Sequence, residues 1–404
     1  HSAANLPPLF FGAMMRFFAG NRVTLLHNGA EYFPELEKAI ENAASEIFLE
    51  SYIFENDNTG RRIAEALKRA AQRGVAVHLL LDGFGSKPLP QEMIDEMTRA
   101  GVQVLMFRPE VLSFKFRRQR LRRMHRKIAV IDGGIAFVGG INIIDDMHTP
   151  KQVPPRFDYA VKIEGLLLRA IHAAVRDLWT RVTWTHLRRE WRHTKGLLGA
   201  ARPCGDQRAA LVTRDNLRHR RDIEQAYLNA IAGAKQEIII ANAYFLPGRN
   251  FRRALVKAAA RGVRVILLLQ GRVEYVLVHY ASRALYGYFL NAGVVIYEYH
   301  KSFMHAKVAV VDGYWATVGS SNIDPFSMLL GREANVMVED IGFAQQLRQS
   351  LMQAVAHGAH QVVHERWKNL PLAQRFLIWI CYGVTRFLTG VFGYGREQEF
   401  KSRH

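Results

Sequence analysis

One short pattern, carried twice, constrains this chain more than any other feature. The first copy, MHRKIAVIDGGIAFVGGINI, holds His125, Lys127, Asp132, Gly139, Gly140 and Asn142. The second, MHAKVAVVDGYWATVGSSNID, holds His305, Lys307, Asp312, Gly319, Ser320 and Asn322. In both, Lys follows His by 2 residues, Asp by 7 and Asn by 17. A chance polar pair at a strand edge explains one copy but not two in matching contexts. The likeness also reaches beyond the motifs: AAQRGVAVHLLLDG parallels AAARGVRVILLLQG, and RAGVQVL parallels NAGVVIY. Whole helix–strand units are therefore duplicated. The expected fold class is α/β, with two mixed-sheet domains related by a pseudo-dyad.

The local patterns fill in that frame. KIAVID and KVAVVD are Val- and Ile-rich and read as strands. Side chains two apart on a strand share a face, which places His125 with Lys127 and His305 with Lys307. A Gly-rich turn and a second apolar run complete a hairpin that returns small residues and an amide beside His and Lys. Asp132 and Asp312, at an odd offset, fall on the other face, where they are expected to tie down the turn. Upstream, Leu36, Ile40 and Ala43 mark one helix, EIFLESYIF a strand, and Ile63, Leu67 and Ala70 a second helix before the strand VAVHLLLD. The expected divisions are a first domain over 22–190, a basic linker or loop over 191–209, a second domain over 210–360 and an amphipathic segment over 361–404. Residues 9–18, LFFGAMMRFF, are too short to span a bilayer and read as a buried or interfacial helix.

Histidine can act as nucleophile or proton donor near neutral pH. Lys and Asn are donors suited to a non-bridging phosphoryl oxygen. One motif is half a site; two brought face to face supply two histidines and two lysines to one phosphate. The net charge of +19 and pI near 10.1 imply a polyanionic partner, either nucleic acid or an anionic membrane surface. Hydrophobic content of 49% rules out a disordered bulk. Cys204 and Cys381 lack ligand spacing, which argues against a thiolate metal site or a disulfide scaffold. The run FKFRRQRLRRMHRK leads into His125 with Phe114 and Phe116 interleaved. Its Arg122 and Arg123 are candidates for steering an anionic substrate, against the alternative of a merely solvated face. Residues 367–392 are aromatic and apolar around Lys368, Arg375 and Arg386. They read as a segment lying in a membrane interface, or else as a helix docked on the core.

The paired motifs resemble the signature of the phospholipase D superfamily, His-x-Lys-x4-Asp followed by Gly-Ser/Gly-x-Asn, which occurs twice per active site. That resemblance implies a duplicated fold with one shared site and a phosphohistidine reaction needing no metal or cofactor. It implies His125 as nucleophile, His305 as acid and base, and Lys127, Lys307, Asn142 and Asn322 as stabilisers of phosphoryl charge. It also implies an acidic residue bonded to Nδ1 of the histidine in the opposite half: Glu333 for His125 and Asp158 for His305. Strand ends line the pocket in the family, which makes Glu50, Tyr52 and Tyr244 candidate substrate contacts, with Asp82, Phe84 and Gln270 behind them. The plainer reading, half-buried strand residues, stays open for these. Whole segments, among them LLHNGAEYFPELEKAIENAASEIFLESYIFENDNTG and FDYAVKIEG, are similar to the bacterial cardiolipin synthases, in the shorter form without paired N-terminal transmembrane helices. The likeness covers roughly 22–350. Gly140 departs from the Ser found in many members. The implied reaction is phosphatidyl transfer between two phosphatidylglycerols with release of glycerol. The implied setting is an anionic phospholipid surface, peripheral on the cytoplasmic face of a bacterial inner membrane. Lipid hydrolysis or nuclease action is the alternative, and the apolar tail makes nucleic acid the less favoured partner.

Overall fold

The computed structural model describes residues 15–108, 123–149, 153–185, 201–215, 219–273, 276–324, 331–368 and 371–391. Within them the duplication is visible strand by strand. The first half orders its strands Gln103–Phe107, Ala76–Asp82, Glu46–Ser51, Ile128–Ile131, Ile135–Gly139, Tyr159–Gly165, Phe18–His27. The second half mirrors it with Val295–Tyr299, Arg264–Gln270, Glu237–Asn242, Lys307–Val311, Trp315–Gly319, Gly331–Glu339, Gln207–Arg214. The first three strands of each series run parallel, and the motif hairpins join them antiparallel. The parallel strands are apolar on both faces because helices or the opposite half cover both.

The sheets expected in separate domains run on as one. Phe18–His27 and Gln207–Arg214 pair antiparallel through Phe18↔Ala209 and Asn21↔Gln207. Two bare edges that meet satisfy each other's backbone groups. Asn21 Nδ2 donates to Gln207 O at 3.2 Å across this seam. Helices Leu168–Thr185 and Ile341–Gly358 lie on the inner side and share one core with strands of both halves, including Val130, Val161, Val308 and Val336. Helices Asn28–Glu41, Asn58–Gln72 and Gln91–Arg99 cover the outer face of the first half. Asp222–Gly233 and Arg249–Ala260 cover the second.

Two sequence expectations shift. Phe18 opens a strand rather than closing a helix, and residues 1–14 lie outside the described residues. The span read as a linker, 191–209, already contains the start of Gln207–Arg214, while 191–200 lie outside the described residues. In both cases the seam between halves recruits strand residues that carry no motif.

Candidate active site

Each histidine sits not in its hairpin strand but just ahead of it, where the chain crosses to the other half. Arg123–Met124 pairs in parallel with Gly331 and Arg332, and Phe303–Met304 pairs in parallel with Arg156 and Phe157. His125 N then donates to Arg332 O at 3.0 Å, and His305 N donates to Phe157 O at 2.8 Å. The very next residues are Glu333 and Asp158. The backbone clasp thus delivers each histidine to the acid of the opposite half. His125 Nδ1 lies 3.0 Å from Glu333 Oε2, and His305 Nδ1 lies 2.7 Å from Asp158 Oδ2.

The lysines turn back on their own histidines. Lys127 Nζ donates to His125 O at 2.8 Å, and Lys307 Nζ donates to His305 O. Lys307 is wholly buried and lies 4.0 Å from Asp158 Oδ2. Burial pushes the Lys127 ammonium down to about 7, with Glu333 opposing and Lys307 adding to the shift. Burial, then Lys307 and Lys127, hold His305 well below its ordinary range. His125 is also lowered, by burial first, against the pull of Glu333. Burial raises Asp158 to about 6, with Lys307 opposing. Burial works to raise Glu333, but its pairing and hydrogen bond with His125, with Lys127 and Arg214 beyond, outweigh that and leave the carboxyl below its usual value. Both imidazoles are therefore biased toward the neutral form, each held through Nδ1 by the acid of the opposite half, which leaves Nε2 as the ring nitrogen not engaged by that acid.

The hairpin ends explain the glycines. A Cβ on Gly139 would stand 2.5 Å from Ala160 Cα, and one on Gly319 would stand 2.2 Å from the Asn335 side chain. Only bare backbone fits there. At the next position the halves differ. Ser320 Oγ donates to Glu333 Oε2 at 2.5 Å, whereas a Cβ on Gly140 would lie 2.3 Å from Asp158 Oδ1. The longer acid is met by a hydroxyl and the shorter one fills the hydroxyl's place. Asn142 and Asn322 are buried at the far end of each hairpin, and Asn142 Oδ1 accepts from Ile53 N at 3.1 Å.

Asp132 and Asp312 lie away from the histidines. Asp132 accepts from the backbone N–H groups of Ala44, Ser45 and Glu46, and Asp312 accepts from those of Lys235, Gln236 and Glu237. Each ties the loop that enters the neighbouring parallel strand. Burial raises Asp312, but those three donors outweigh it and hold the carboxyl below its ordinary value.

The candidate substrate contacts divide. Tyr52 stands at the site: its ring meets the His125 ring edge-on at 4.8 Å, and Lys127 Nζ lies 5.3 Å from its centroid. Glu50 does not reach the site as a free acid, because both its oxygens accept from the buried Arg126 guanidinium. Asp82 accepts from Met124 N, and Gln270 Nε2 donates to Met304 O, so these two hold the residue that precedes each histidine. Arg123 lies against the Phe84 ring at 5.3 Å and 3.8 Å from Asp82. Arg122, Phe114 and Phe116 lie outside the described residues. Tyr244 is not the counterpart of Tyr52. The bridges Phe54↔Ile143 and Phe245↔Ile323 align Tyr52 with Ala243 and Ile53 with Tyr244. Sequence reasoning missed Arg126, whose partner Glu50 stood in plain view, and the cross-half clasp, which has no local signature.

Two His–Lys motifs closed into one site by acids of opposite halves define the class, a phospholipase D-type phosphoryl-transfer enzyme. Comparison with known proteins narrows it. The family profile described as "Cardiolipin synthase, PLD-like domain" matches residues 36–150 and 227–355. The chain is 43% identical over 344 residues to cardiolipin synthase B of Escherichia coli (strain K12), covering 85% of this chain and 82% of that one. It is 33% identical to the cardiolipin synthase of Geobacillus kaustophilus, covering 91% of this chain and 72% of that one. The crystal structure of phosphatidylserine synthase from Haemophilus influenzae shares the fold with a TM-score of 0.69 at 13% identity, covering 93% and 95% of the two chains. The chain belongs to the cardiolipin synthase family of phospholipase D-like proteins.

Proposed function

We propose that this protein makes cardiolipin by transferring a phosphatidyl group between two phosphatidylglycerols. His125 Nε2 attacks the phosphorus of the donor, the P–O bond to glycerol breaks, and His305 gives the leaving oxygen its proton. A headgroup hydroxyl of the second lipid then attacks the phosphohistidine, its proton passes to His305, and the P–N bond breaks. Lys127 and Lys307 carry the charge on the non-bridging oxygens, with the amides of Asn142 and Asn322 beside them. The substrate phosphate supplies the negative charge that restores a proton to His305 for the first step. The observation that carries this reading is the crossed pairing of His125 with Glu333 and of His305 with Asp158. It gives one phosphate two oriented imidazoles.

The test is product analysis with labelled phosphatidylglycerol in mixed micelles. Cardiolipin and free glycerol in equal amounts are expected. Phosphatidic acid alone makes the protein a hydrolase, and cleavage of nucleic acid without lipid turnover sinks the lipid reading.

The setting we propose is peripheral, on the cytoplasmic face of a bacterial inner membrane. Among the described residues, no helix is long and apolar enough to cross a membrane. Helix Leu372–Val391 instead packs on helix Val276–Arg283, burying Ile378, Cys381 and Thr385. Its other sides carry Leu372, Phe376, Trp379, Ile380, Val384 and Phe387, and Phe376 is 68% and Phe387 70% exposed. The segment thus has a narrow docked stripe and a wide exposed apolar face, and the latter supports the reading of a lipid interface. Each aromatic buries on the order of 150–250 Å² on insertion. At about 25 cal/mol per Å², replacing Phe376, Trp379 and Phe387 together by Ser is expected to weaken binding to anionic vesicles by more than about tenfold. Vesicle co-sedimentation reads this, and unchanged binding would remove the helix from the membrane contact.

A further inference from the structure

The two halves differ at the residue that follows the strand paired with each motif. Strands Glu46–Ser51 and Glu237–Asn242 pair in the same way with their motif strands, which places Tyr52 and Ala243 in equivalent positions. In the first half the Tyr52 ring packs on His125 and also rests on Gly85, where a Cβ would approach the ring to 2.9 Å. In the second half Ala243 brings no ring, and a cleft opens there, lined by Tyr244, Gln270, Arg272 and His279 as well as Ala243. The cleft adjoins His305 on both sides in sequence. Ala243 N donates to Ala306 O at 3.0 Å, and Gln270 Nε2 donates to Met304 O at 3.2 Å. Val278, His279 and Ser282 of helix Val276–Arg283 form its outer wall. That same helix carries the apolar helix Leu372–Val391.

We infer that the cleft at Ala243 admits the headgroup of the acceptor lipid, and that the small side chain there selects a lipid alcohol over a small one. This rests on the transfer reading above. The wall is largely apolar, with Phe245, Leu269, Val278 and Tyr286 beside Ala243, and its few polar groups are of the kind a phosphodiester-bearing polyol needs. Arg272 supplies one cation, fixed by the bond from its Nε to His300 O, and Gln270 and Tyr244 supply neutral polar groups. His279, pushed down to about 4 by burial first and by Arg283 next, is neutral and suits a hydroxyl rather than a phosphate. Helix Val276–Arg283 links the two regions: it carries Leu372–Val391 and walls the cleft, whose Ala243 and Gln270 hydrogen-bond the neighbours of His305. On the first half the Tyr52 ring closes the equivalent place, so the two lipids approach unlike surfaces although the motifs are alike.

The test is Ala243→Phe, which fills the cleft while leaving His125, His305 and both lysines in place. Wild type and variant are given labelled phosphatidylglycerol in mixed micelles, with and without 1-butanol. Because a blocked cleft excludes the larger acceptor, cardiolipin is expected to fall by about tenfold or more, while phosphatidylbutanol, and the glycerol released with it when butanol is present, stay within about twofold. If both transfer products fall together, or neither does, the cleft is not the acceptor entrance. Should Ala243→Phe melt early, Arg272→Gln decides by the same pair of products: selective loss of cardiolipin supports the inference, and equal loss or none overturns it. If the wild-type protein forms phosphatidic acid but no cardiolipin, the transfer reading itself fails, independently of either variant.

Discussion

His125→Ala is expected to abolish the covalent intermediate, and with it transfer to every acceptor, by a factor on the order of 10⁴ or more. The half-buried His125, its Nδ1 held by Glu333 and its ring backed by Tyr52, favours the neutral form and has no substitute nucleophile within its own motif. His305→Ala should behave differently. It removes the proton given to the leaving glycerol, an effect of roughly 10²- to 10⁴-fold that depends on the leaving group. A phosphodiester of p-nitrophenol leaves without protonation. With that substrate His305→Ala should release one burst equivalent of nitrophenol and stall as phosphohistidine, because no base activates the acceptor. His125→Ala should show no burst at all. A burst from His125→Ala and none from His305→Ala would exchange the two roles. Equal loss in both, with no trapped phosphoenzyme, would argue for direct displacement by the acceptor.

How much of this was legible in the sequence follows from what is local. The helices marked by Leu36, Ile40, Ile63 and Leu67 were readable from a period near 3.6 residues, and the motif hairpins and parallel strands from short Val-, Ile- and Leu-rich runs bounded by turn residues. The partners of His125 and His305 were named only through family resemblance. Nothing in FDYAVKI or REANVMV alone says which histidine each acid meets. The reason is physical: the pairing is made by two-residue parallel strands between halves, too short to leave a pattern. The single sheet was hidden for a related cause. Its seam joins the two strands that lie outside the motifs, at the outermost position of each repeat. Tyr52 and Tyr244 were both candidates because each follows an apolar strand, and only the register of the isolated bridges shows that they sit one residue out of step. Glu50 read as a pocket acid because its partner Arg126 is hidden inside the basic run that precedes the first hairpin.

Glu333→Gln and Asp158→Asn should both be severe, yet unequal in their dependence on pH. An amide in place of the acid can hold the imidazole in the wrong tautomer, with Nε2 protonated, and no longer stabilises an imidazolium. In a comparable triad this loses about 10⁴-fold in kcat. Glu333 lies below its ordinary value, since His125 and Lys127 favour its ionised form more than burial disfavours it. It therefore stays charged through mild acid. Asp158 is raised to about 6 and takes up its proton first as the pH falls. Lys127, lowered to about 7, loses its proton first as the pH rises. The sign follows for each: activity needs Asp158 ionised and so is present above its pKa, and needs Lys127 protonated and so is present below its pKa. The pH profile of kcat/KM, which reports the free enzyme, should fall on the acid side near 6 and on the alkaline side near 7. Asp158→Asn should leave a small residual rate whose acid limb has gone while the alkaline limb remains. Glu333→Gln should lower the whole profile and keep both limbs. An acid limb that survives in Asp158→Asn would assign that proton to another group, with His305 itself the next candidate because burial and both lysines already hold it low. The unequal acids would then serve only to fit the unequal neighbours Gly140 and Ser320.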